Sequence, residues 1–208
     1  MEGRRRVLGY ANGLPDTRVM FVAEAPGRRG GEITGVPLTR DQSGRRFTHL
    51  LAVAGLTREQ VFITNAVLCN PQRADGANRS PSTAEVRACS GWLRAQIALV
   101  DPLVIVTLGA TALRALALIE LHPYRLRDCV ATPLPWYGRI LVPLYHPSPR
   151  ADLSRPYREQ EADFARLREL LVRLPVPGAA SAMTRGGKAP RIATHAVGRY
   201  ADCAFQNE

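Results

Sequence analysis

Lysine is nearly missing from this sequence. Lys188 is the only one among 28 basic residues in a chain of 208, and the others are arginine. No amine is then available in the apolar part of the chain to form a Schiff base or hold a nucleotide phosphate, which argues against lyase and P-loop chemistry. Other signatures are also absent: no G-x-x-x-x-G-K-[ST], no G-x-G-x-x-G opening a helix, no G-x-S-x-G elbow and no H-E-x-x-H. The four cysteines (Cys69, Cys89, Cys129 and Cys203) form no C-x-x-C pair, so structural disulfides are not expected and a reduced, cytoplasmic setting is. The opening "MEGRRRVLGYANG" is too polar for a signal peptide. No run reaches the ~18 apolar residues of a membrane span, so no membrane partner is expected.

What is present is positive charge and an alternating pattern. The net charge of +10 and pI near 10.3 favour polyanionic partners such as nucleic acid or an acidic membrane surface. The length suits one α/β domain and would cramp two. Four β-branched apolar runs, "RVMFVAEA" (18–25), "VFITNAVL" (61–68), "LVIVTLG" (103–109) and "RILVPLYHP" (139–147), are separated by helical patterns. The spacing predicts a three-layer α/β/α sandwich around a central four-stranded, mainly parallel sheet. A single domain is expected over residues 1–174, with 175–208 a flexible basic tail. Ligands of open parallel sheets sit outside the strands' carboxyl ends, which places 24–44, 65–81, 109–111 and 146–150 on one rim.

Three segments on that rim carry candidate chemistry. "AEAPG" turns sharply after the first strand, and the loop behind it gathers glycines around one carboxylate, Asp41. "ITNAVLCNPQRADGANRSP" offers Asn65 and Asn78, whose amides could read the edge of a base, although turn chemistry explains such asparagines equally well. "LYHPSPR" puts His146 at a strand end before a proline-stiffened turn; a simple hydrogen-bonded imidazole is the alternative.

Together these segments resemble the uracil-DNA glycosylase superfamily, in particular its thermostable bacterial and archaeal branches. The counterparts of the family motifs are Glu24 to Gly27, "TGVPLTRDQSG", "NAVLCNP…ANRSP", "LG" at 108–109 and "HPSPR", and the likeness covers roughly residues 8–170. Loop length and Asp41 are more similar to family five, Glu24 and Asn65 to family four. The resemblance implies a monofunctional, monomeric DNA glycosylase of base excision repair that flips a deaminated base and hydrolyses its N-glycosidic bond. Uracil is the first expectation, with hypoxanthine or xanthine as others.

By the same resemblance, Asp41 orients the attacking water, His146 donates to the base oxyanion, and Asn78 assists. Glu24, Ala25, Pro26, Gly27, Leu38 and Asn65 form the base pocket. Arg28, Arg29, Arg40, Arg45, Arg79, Ser148 and Arg150 meet the DNA, and Arg46 lies on the same basic track. Two departures stand out. Leu38 occupies the place of the family's base-stacking phenylalanine. The family's four-iron cluster needs four cysteines, of which only Cys69 and Cys89 have counterparts; the N-terminal pair is absent from the sequence as written, so either the cluster is lost or the start lies upstream. No cofactor is required for the chemistry itself. Two rivals remain: a non-catalytic DNA-binding member of the same fold, and an unrelated α/β hydrolase acting on a small anion.

Overall fold

The computed structural model describes residues 3–175. The part of the expected tail beyond 175, with Lys188 and Cys203, lies outside them. Strand β1 (Val19–Ala23) is followed by the short helix α1 (Gly31–Thr34) and by α2 (Gln42–Val53). Strand β2 (Val61–Asn65) leads into α3 (Thr83–Val100), β3 (Val104–Leu108) and α4 (Ala110–Ala117). Strands β4 (Leu134–Trp136) and β5 (Arg139–Leu144) precede α5 (Tyr157–Arg173).

The sheet has five strands in the order β2-β1-β3-β5-β4, with β4 antiparallel to β5 and the other pairs parallel. The expected count of four is therefore one short. Strand β4 is three residues, Leu-Pro-Trp, too brief to show a period of two, and its proline fits an edge strand. A two-residue turn joins it to β5. Tyr137 (φ 49°) and Gly138 (φ 71°) both take the left-handed conformation that a tight hairpin requires.

Strands buried on both faces read as continuous apolar runs, and here successive side chains feed two separate cores. Met20, Val22, Phe62 and Ile105 face α3 and α4, with Leu93, Ile97 and Leu116. Val19, Phe21, Ile63 and Val106 face α2 and α5, with Phe47, Leu50 and Phe164. Phe21 lies edge-on to Phe47 at 5.3 Å and stacks on Phe164 at 6.3 Å, which locks α2 and α5 to the sheet. With β1, β2, β3 and β5 parallel, their carboxyl ends share one edge of the sheet, and the loops that follow them build the site.

Two helix starts matter for that edge. Asp41 caps α2, its Oδ1 accepting from the Gly44 amide at 2.9 Å. Ser82 caps α3 in a reciprocal box with Glu85. Glu85 also takes both terminal nitrogens of Arg79 at 2.7 Å. The Arg79 guanidinium, ahead of the Ser82 bonds, holds the Glu85 carboxyl down to about 2.

Candidate active site

A cavity of about 540 Å³ opens at the strand ends, within the ~300–1,000 Å³ range of small-ligand sites. All four parallel strands contribute to it. The turn after β1 supplies Glu24, Ala25, Pro26 and Gly27, with Leu38 and Asp41 behind. The β2 loop supplies Asn70, Asn78 and Arg79, β3 supplies Gly109, and β5 supplies His146, Ser148 and Arg150. The rim expected from the sequence is thus assembled around one cavity.

Asp41 does two things at once. One oxygen caps α2, and the other lies hard against the glycines of the first turn. A methyl group built on Gly27 or Gly30 would stand 2.6 Å from Asp41 Oδ2, so only glycine leaves room for the carboxylate. Asn78 approaches the same place: its Nδ2 would lie 3.8 Å from a methyl on Gly27. Its Oδ1 is taken by the Arg28 amide (3.1 Å) and by Asn70 Nδ2 (2.9 Å), which also reaches the Pro26 carbonyl. Asn70 ties the β2 loop to the "APG" turn, a role the sequence reading missed. It shows in sequence only as one more asparagine before a proline.

His146 follows β5, with its Cβ 3.5 Å from a methyl built on Gly109. Burial pushes its imidazole below the ordinary value, while the Glu24 and Asp41 carboxylates pull the other way. The first effect is the larger, so the ring is neutral at pH 7 with one N–H to donate. Ser148 donates its amide back to the His146 carbonyl at 2.7 Å, which tightens the turn. The following segment is anchored from outside. Arg46 of α2 makes a two-pronged bond to Asp152 (2.8 and 2.7 Å), and Gln160 of α5 adds a third. Leu153, at the end of the Pro149–Leu153 turn, stands 91 % exposed.

Not every expected residue reaches the cavity. Asn65 is buried at the end of β2, beside Ala23 in register, and does not line it. By strand alternation it points to the α2/α5 face, as Ile63 does. Its Nδ2 has no hydrogen-bond partner among the described residues, and an unmet buried donor costs about 1–3 kcal/mol. Among the arginines, Arg29, Arg40, Arg45 and Arg150 are exposed and Arg28 is half-buried. Arg79 lines the cavity with its guanidinium committed to Glu85, and Arg46 is committed to Asp152. Tyr145 and Leu126, which the motif reading left out, complete the apolar wall on the α3/α4 side.

Leu38 forms the wall on the α2/α5 side, packed against that core. It has φ 49° and Arg40 has φ 67°, conformations that cost non-glycine residues about 1–3 kcal/mol each and gather at functional sites.

Cys69 and Cys89 are half-buried free thiols, and Cys129 is buried. Among the described residues no group of three or more His, Cys, Asp or Glu could hold a metal. The described residues do not fit a four-cysteine cluster, and no step of the chemistry uses one. No described helix is long and apolar enough to cross a membrane.

A carboxylate, a neutral imidazole and free amide donors around an apolar slot suit hydrolysis of a bond whose cleavage leaves a cation on one side and an anion on the other. Comparison with known proteins agrees. A family model described as the uracil DNA glycosylase superfamily matches residues 10–171. The chain is 38 % identical over 134 residues to a type-4 uracil-DNA glycosylase of Thermotoga maritima, covering 64 % of this chain and 66 % of that relative. It is 34 % identical over 165 residues to the type-4 enzyme of Archaeoglobus fulgidus (76 % and 79 % covered). The type-5 enzyme of Thermus thermophilus matches at 34 % over 162 residues (69 % of each). Relatives of both types match, in keeping with the mixed motifs.

Proposed function

The chain belongs to the uracil-DNA glycosylase superfamily, and from that premise we propose that it is a monofunctional hydrolase. It would excise deaminated bases, uracil first among them, from DNA in base excision repair. The observation that carries this reading is the convergence of Asp41, Asn78 and a neutral His146 on one cavity of base-accommodating size.

Extruding a base costs a few kcal/mol, which the pocket recovers through packing and edge hydrogen bonds. Leu38 packs on one side, Tyr145 and Leu126 on the other, and the backbone of the 25–27 turn meets a base carbonyl. Asn65 does not line the cavity, so its Nδ2 has no contact with the base in this scheme. As the glycosidic bond breaks, His146 donates its N–H to the oxygen that gathers negative charge. Asp41 Oδ2 orients the water and stabilises the cationic sugar. Asn78 Oδ1 is already occupied, so its Nδ2 is the group left to hold that water or the base. The "HPSPR" turn enters the duplex where the base has left, with Leu153 as the apolar tip and Arg150 and Ser148 on the backbone. Arg28, Arg29, Arg40 and Arg45 neutralise phosphates. Hypoxanthine and xanthine are further substrates of the same slot. With the only lysine at position 188, beyond the site motifs, the product is an intact strand with an abasic site.

The test is single-turnover cleavage of duplexes carrying uracil, hypoxanthine or xanthine against matched undamaged DNA, with alkali revealing abasic sites. Excision of uracil, lost in Asp41→Asn and His146→Ala, is the expected result. Salt-sensitive DNA binding with no excision of any lesion would instead identify a binding protein, as Leu38 in place of an aromatic would favour.

A further inference from the structure

One half-buried cation is left unused by this mechanism. Arg58 sits in the short 3-10 turn before β2, with no carboxylate within ion-pair distance among the described residues. Burial lowers its pKa, and only the neighbouring Glu59 opposes. Its guanidinium goes instead to two consecutive backbone carbonyls. Nη2 donates to Pro37 at 2.5 Å and Nη1 to Leu38 at 3.2 Å, while the group lies 5.9 Å from the centre of the Phe47 ring. Phe47 is fully buried on α2, the helix that Asp41 caps.

The segment it grips is the strained one. Leu38 and Arg40 are left-handed, and Thr39 Oγ1 donates to the Val36 carbonyl at 2.9 Å. The loop lies so close to α2 that a methyl on Gly44 would come within 2.8 Å of the Leu38 carbonyl. A non-glycine residue stays left-handed only when its surroundings hold it there. Among the described residues, the two Arg58 bonds are the tertiary hydrogen bonds that hold the Pro37 and Leu38 carbonyls.

We infer that Arg58 is a positioning residue for the base pocket: by fixing the Pro37 and Leu38 carbonyls it sets where the Leu38 side chain stands against the flipped base. This rests on the glycosylase reading, and it adds a residue outside every motif that suggested that reading. Arg58 touches neither base nor phosphate. It works through Leu38, and a desolvated guanidinium serves because it can satisfy two carbonyls at once.

The experiment is a double-mutant cycle on the full chain with Arg58→Met, Leu38→Ala and the pair. Methionine keeps apolar packing on Phe47 and removes the donors. Arg58→Met is expected to slow single-turnover uracil excision about ten- to a hundredfold, as slight misplacement of a site does. In a Leu38→Ala background the same change should cost less than about threefold, because coupled residues are not additive. Arg58→Lys should recover part of the rate, and the salt dependence of DNA binding should not move. Amide hydrogen exchange of residues 36–41 should rise in Arg58→Met while that of α5 stays unchanged. Equal effects in both backgrounds would overturn the inference. So would a salt slope reduced by about one, the mark of a phosphate contact, or unchanged exchange. If the parent protein excises no uracil, the glycosylase reading fails, and the exchange measurement still decides whether Arg58 holds the loop.

Discussion

Asp41 is placed so that its chemical and structural roles can be separated. One oxygen caps α2 through the Gly44 amide, and the other lies against Gly27 and Gly30. Asparagine caps a helix as well as aspartate does, so Asp41→Asn keeps the cap. It loses only the charge–dipole contribution, about 0.3–1 kcal/mol. Asp41→Ala loses the cap as well, about 1 kcal/mol more. At about 2–4 °C per kcal/mol for a domain of this size, asparagine should lower Tm by at most about 4 °C and alanine by several degrees more. The rate should behave differently. Removing a positioned acid–base group costs about 10²–10⁴-fold, or about 2.7–5.4 kcal/mol of barrier at 1.36 kcal/mol per decade. Both variants should lose it alike. The assay is single-turnover excision of uracil with enzyme in excess, alongside thermal unfolding and anisotropy with uracil-containing duplex. If Asp41→Asn excises uracil within fivefold of the parent, Asp41 does not handle the water. If the two rates instead follow the two Tm values, Asp41 acts through the helix cap.

Burial holds the His146 pKa below its ordinary 6.5, so the neutral ring is the working donor and the excision rate should be flat from pH 6.5 to 8; a fall as pH rises through 7 would mean that the imidazolium is needed. The linked stability has a definite sign. Below about pH 6.5 the unfolded chain takes a proton that the folded chain refuses, so stability falls with acid there, and His146→Ala should remove that part of the slope. Replacing Arg28 and Arg29 by alanine together should reduce the slope of log binding against log salt by about 1.8, at ~0.9 per phosphate. Arg79→Ala should leave the salt slope unchanged, since that guanidinium is held by Glu85. Glu85, held near 2, contributes stability that is complete above about pH 4.5 and lost as pH falls towards 2. Acid titration of Arg79→Ala should therefore show a smaller acid-linked loss. Phe21→Ala, at the contact of three buried rings, should cost about 3–5 kcal/mol, read as a large drop in Tm.

What the sequence revealed and what it hid follow from the range of the forces involved. Strands β1, β2, β3 and β5 and their helices are legible because each is a local pattern, an apolar run or a 3.6-residue period bounded by caps. Strand β4 is not, because a three-residue edge strand has no period and exists only through its pairing with β5. The candidate site was legible where a chemistry-bearing side chain stands out in a rim loop, as Asp41 does among glycines, or just after a strand, as His146 does after β5. It was obscure where identity says nothing of direction. Asn65 and Asn70 stand five positions apart and are equally buried, yet Asn70 lines the cavity and Asn65 lies behind it. Charge misled in a similar way. The arginines near the rim look alike in sequence, but Arg46 and Arg79 are held by carboxylates 106 and six residues away, and Arg58 by two carbonyls. Only tertiary contacts separate an arginine free for phosphate from one that builds the pocket. In a chain with a single lysine, arginine must serve both as phosphate contact and as internal hydrogen-bond donor. The count of 28 basic residues therefore overstates the cations free to face DNA, and the salt slope of binding is the quantity that would count those.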